Sequence, residues 1–111
     1  MAGADDRGVG EADRRGRPVG AVRILKWSLP PVGEVRQYLG EGAVVRAVGW
    51  QGRQLVAWAE WSQDTLVEPW VFTVALTGDA VPEGDYIGTA SLDEDGTPHV
   101  VHVYGRKESL R

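Results

Sequence analysis

Residues 86–104 read "YIGTASLDEDGTPHVVHVY". Two runs rich in β-branched and aromatic residues, "YIGTASL" and "HVVHVY", flank the polar "DEDGTP". Its Asp95-Gly96 pair is the strongest short-range signature of a β-hairpin. A tight hairpin turn needs positive φ at its centre, which Gly adopts freely and Asp tolerates.

The same grammar extends toward the N-terminus. "AVRILKWSLPP" (21–31) is a strand stopped by two prolines, because Pro31 forces Pro30 out of the helical region and neither can donate to a ladder. "EVRQYL" (34–39) alternates and is closed by "GEG". "AVVRAVGWQ" and "RQLVAWAEW" flank Gly52, where Gln51-Gly52 suits a second tight hairpin. "EPWVFTVALTG" is a further strand with Pro69 near its start, followed by the loop "DAVPEGD". No stretch keeps apolar residues at helical spacing over three turns, so no long helix is expected. The reading is all-β: about seven short, mostly antiparallel strands in a small barrel or sandwich.

Parity supports the closed or layered form. In residues 53–61 one face carries Leu55, Ala57, Ala59 and Trp61, and the other Val56, Trp58 and Glu60. In residues 70–77, Trp70, Phe72, Val74 and Leu76 oppose Val71, Thr73, Ala75 and Thr77. A sheet with one face in water alternates more cleanly than this. Closure into a small barrel or sandwich accounts for it, and a second protomer covering the less polar face does so equally well.

The chain of 111 residues fits one domain, with 42% hydrophobic and 25% charged residues. Residues 1–20 are Gly-, Asp- and Arg-rich with balanced charge, and are expected to form a disordered tail. The β domain is expected over 21–105 and a short basic C-terminal tail over 106–111. Residues 21–104 carry a net charge of −6 within a total of −4. Such an acidic body repels phosphate backbones, which argues against nucleic acid as a partner. The absence of cysteine excludes disulfides, thiol nucleophiles and cysteine metal sites. No apolar run approaches the roughly 20 residues of a membrane-spanning helix, and the polar N-terminus lacks a signal-peptide core. No membrane association and a cytoplasmic location are expected.

Together, Ile24, Lys26, Trp27, Gly42, Val48, Gln51, Leu55, Trp58, Ala59, Phe72, Thr77, Gly78, Tyr86, Ile87, Gly88, Thr89, His102, Val103 and Tyr104 form an ordered set of motifs. In that order and spacing the chain resembles a family of short, uncharacterised all-β proteins, a domain of unknown function found in bacterial and phage genomes. The resemblance covers about residues 22–104. It implies a compact β domain, often among phage accessory genes, and no catalytic residues. The chain departs from the pattern at "EWSQDTLVEPW" (60–70) and in its N-terminal tail.

Each possible site weighs against a bland reading. His99 and His102, three apart on one strand, point to opposite faces and cannot share a metal ion. His102 is expected to hold a structural hydrogen bond in the sheet. "DEDG" lacks the spacing of a calcium loop. Glu60, Asp64 and Glu68 have no evident opposition across a cleft. Ser28, Ser62, Ser91 and Ser109 have no base partner, and the glycine-rich stretches do not lie between strand and helix. No catalytic residue, cofactor or metal is expected. The five tryptophans exceed what so small a core obviously needs. Trp58 and Trp61 face opposite sides of one strand, so one of them should lie outside the core. Trp58, Trp61, Asp64, Glu68 and Trp70 are therefore the candidate surface for a protein partner, either a second copy or a larger assembly. The alternatives are a virion accessory protein, and a small-molecule binder whose pocket would be lined by Trp27, Trp58 or Tyr86.

Overall fold

The computed structural model describes residues 20–108. The strands are β1 (Val22–Leu29), β2 (Gly33–Gly40), β3 (Val44–Gln51), β4 (Gln54–Ser62), β5 (Val67–Leu76), β6 (Asp85–Glu94) and β7 (Thr97–Lys107). All pairings are antiparallel, and no helix occurs among the described residues. One sheet has three strands in the order β1-β4-β3, the other four in the order β2-β5-β7-β6. The sheets do not close into a barrel; they face each other as a sandwich. This resolves the barrel-or-sandwich expectation, and its physical basis is the core. The core is built from the inward faces of both sheets: Trp27, Leu29, Leu55, Ala57 and Ala59 from one, Leu39, Phe72, Val74, Ala90, Val101 and Val103 from the other.

Both expected hairpins are present. Asp95 and Gly96 take φ of 52° and 77°, the signs of a type I′ turn, between β6 and β7. Gln51 pairs with Gln54, leaving Gly52 (φ 61°) and Arg53 as a two-residue turn. β7 continues through Lys107, so Arg106 and Lys107 belong to the sheet rather than to a basic tail. Arg106 pairs with Val71 and Lys107 with Trp70, because the β5 ladder still has open backbone groups there. Glu108 extends the hold, its N–H donating to the Pro69 carbonyl at 2.9 Å. The expected N-terminal tail lies, apart from Gly20, outside the described residues, as do residues 109–111.

The connection from β5 to β6 is unlike the hairpins. These two strands run parallel on either side of β7, so residues 77–84 must travel back along the sheet before β6 begins. They do so over the outer face of the four-stranded sheet, where Ala75 is buried although its parity points away from the core.

Candidate functional site

The five residues expected to form one surface are divided by the fold. Trp61 and Trp70 point inward. Trp61 lies 6.2 Å from Trp27, ring centre to ring centre, and Trp70 stacks on Phe72 at 5.6 Å. Gly40 on β2 leaves the room that the Trp61 ring occupies. Asp64 is exposed in the turn after β4, and Glu68 is half-buried, 3.7 Å from Lys107. Trp58 alone faces outward, half-buried, its ring lying over Gly49. The aromatic count thus reflects an interior cluster of Trp61, Trp27, Phe72 and Trp70 more than a binding face.

Two outer faces carry the features that remain. On the three-stranded sheet, Ile24, Glu60 and Val44 form a row across β1, β4 and β3. Ile24 is 71% exposed and Val22, on the same face, 65%. Val44 is also exposed, and Lys26, Trp58 and Ala47 form the next row. Arg46 is the extra residue of a β-bulge, where the register shifts between Val45 and Ala47. The bulge lets its guanidinium reach Glu60 at 2.9 Å, and that hydrogen bond raises the pKa of Arg46 above its ordinary value. Lys26 donates to Gln51 Oε1 at 2.8 Å. The result is a mixed face: an apolar strip of Val22, Ile24, Val44 and Trp58, crossed by the Arg46–Glu60 ion pair and Lys26, with Ser62 at one end and Ser28, Gln51 and Gln54 at the other.

On the four-stranded sheet, polar side chains gather on β6 and β7. His102 sits between two hydroxyls: Nε2 is 2.8 Å from Thr77 Oγ1 and Nδ1 is 3.0 Å from Thr89 Oγ1. Thr89 in turn lies 2.6 Å from the Tyr86 hydroxyl, and the Tyr86 ring meets Tyr104 edge-on at 5.6 Å. His99 faces the other side of β7, exposed, 3.4 Å from Glu94. Beneath residues 77–84 opens a cleft of about 220 Å³, lined among others by Leu76, Thr77, Val81, Pro82, His102 and Tyr104. Sequence reasoning missed this grouping because Thr77 reaches His102 only through the β5–β7 pairing, 25 residues apart.

At the far end of the same face, Arg36 holds Glu108 with two bonds, Nε to Oε1 at 2.7 Å and Nη2 to Oε2 at 2.9 Å. The hydrogen bond from Arg36 is the main cause that keeps the Glu108 carboxyl below its usual range, and the same bond raises Arg36.

No group of three or more His, Asp or Glu side chains that could hold a metal occurs among the described residues. No helix among them is long and apolar enough to cross a membrane. The comparisons add one finding: no curated protein and no solved structure matches this chain, whereas the family described as Domain of unknown function (DUF7352) matches residues 21–111, and the chain belongs to that family.

Proposed function

We propose that this is a non-catalytic protein-binding domain that docks on a larger partner through the outer face of β1-β4-β3. The observation that carries the reading is the exposure of Ile24 and Val22, at 71% and 65%, beside Val44 and the half-buried Trp58. Contiguous exposed aliphatic and aromatic side chains gain free energy when a partner removes them from water.

Area and charge narrow the partner. The three strands have 8, 8 and 9 residues. At about 3.3 Å per residue and about 4.8 Å between strands they present roughly 400 Å². A standard specific interface buries about 800 Å² on each side, so a partner that covers this face must reach beyond it. The face carries Lys26 and Arg46 against Glu60, within a body that is otherwise acidic. An apolar partner surface with an acidic rim complements it.

Mass in solution by light scattering, followed by capture with surface variants, tests the reading. A monomer at micromolar concentration is expected. So is a bound protein that Ile24→Asp and Val22→Asp lose and that Tyr38→Asp, on the other sheet, retains. A tight dimer, or identical capture by all three variants, would overturn it.

A further inference from the structure

A hydrogen-bonded row crosses β6 and β7 and reaches the end of β5 on the four-stranded sheet. Tyr86, Thr89, His102 and Thr77 are joined by three contacts of 2.6, 3.0 and 2.8 Å. Each hydroxyl holds one proton, and a neutral imidazole holds one N–H. Four protons for three bridges leave one proton free, on Tyr86, on Thr89 or on Thr77, because a hydroxyl can accept two bonds as well as donate one. A phenol, with a pKa of about 10, is a far better donor than an aliphatic alcohol. Tyr86 is therefore the favoured donor to Thr89, which leaves the free proton on Thr89 where Nδ1 carries the imidazole proton and on Thr77 where Nε2 carries it. In the Nε2–H form the Thr77 hydroxyl keeps its proton for a ligand.

Thr77 lines the cleft beneath residues 77–84. The cleft's other walls are largely apolar: Leu76, Val81, Pro82 and the ring of Tyr104. None of its lining residues is a lysine or arginine, and Asp79 lies among them with a carboxylate oxygen bonded by the Leu76 N–H at 2.9 Å. An anion would meet a carboxylate with no cation to offset it. We propose that His102 holds the Nε2–H form and that this cleft binds a small neutral molecule bearing a carbonyl-type acceptor, which takes the free proton of Thr77 and rests its apolar part on Val81 and Tyr104. The site lies on the sheet opposite to the proposed docking face, and the two readings stand or fall separately.

The experiment is an NMR measurement on the whole chain. Long-range nitrogen–proton correlation of the His102 ring reads the tautomer directly, and the Nε2–H form is expected. N-methylpyrrolidone, a neutral lactam with an acceptor and no donor, is then titrated into the protein, with sodium acetate as the anionic comparison. Saturable shifts at Thr77 and His102 are expected with the lactam only. Thr77→Val should weaken them about fivefold, the worth of one neutral hydrogen bond, while Thr77→Ser keeps them. An Nδ1–H tautomer in the unaltered protein, non-saturating shifts, equal binding of acetate, or indifference to Thr77→Val would each overturn the proposal.

Discussion

Phe72 and Gly105 stand opposite each other on β5 and β7, and a Cβ on Gly105 would come within 2.8 Å of the Phe72 ring and 2.7 Å of Ile87 Cδ1. Real Cβ atoms do not approach so closely, so the phenyl ring occupies the space that a side chain at 105 would take. Phe72 is fully buried, in contact with both Trp27 and Trp70. The glycine is what gives the largest fully buried side chain its room between the sheets.

Gly105→Ala is therefore an overpacking substitution. The rings around it are already fixed by one another, so relaxation must come from the backbone. A loss of about 1–3 kcal/mol is expected, read as a lower urea midpoint with an unchanged slope.

Trp58 and Trp61 lie on one strand, three residues apart, yet should respond differently to truncation. Trp61 packs against Trp27 inside the sandwich, and Trp61→Ala should cost about 3–5 kcal/mol. Trp58 rests on Gly49 on the outer face, with part of its surface still in water. Trp58→Ala should cost about 1 kcal/mol. Urea unfolding of the two variants side by side checks the order, and equal losses would place both rings in the same environment.

Acid should loosen the end of β7. The folded-state pKa of Glu108 is depressed, chiefly by the Arg36 hydrogen bond. A depressed carboxylate contributes stability that is present above its ordinary pKa and is lost as pH falls through the lowered value. Glu108→Gln should thus lower the urea midpoint near neutral pH and flatten its decline below about pH 4.5. The effect should shrink in salt, since both groups meet solvent. A variant whose acid profile overlays that of the unaltered protein would contradict this.

How far the sequence carried this fold depends on distance along the chain. The turn at Asp95-Gly96, the turn at Gly52 and the two-proline stop after β1 are local, because each is dictated by which residues accept a given φ. The opposed faces of Trp58 and Trp61 followed from strand parity. Which of them faced the core did not, since that depends on Gly40 of β2 yielding space to Trp61. Nor did the assembly of His102 with Thr77 and Thr89, which needs β7 to lie between β5 and β6. The basic residues at 106 and 107 read as a tail because their strand identity comes from a ladder with β5 and from no hydrophobic pattern of their own.

The position of β7 sets an order of events for a chain emerging from a ribosome. β7 is the last of the seven strands to be synthesised, yet it fills the gap between β5 and β6 and supplies the middle of its sheet. Until it arrives, β5 and β6 have no common partner, and Phe72 has nothing to close over it from that side. The three-stranded sheet, made entirely of earlier segments as a β3-β4 hairpin that β1 joins, can assemble meanwhile. A nascent chain halted before residue 97 would therefore display two unmatched strand edges, the state most open to pairing with another copy.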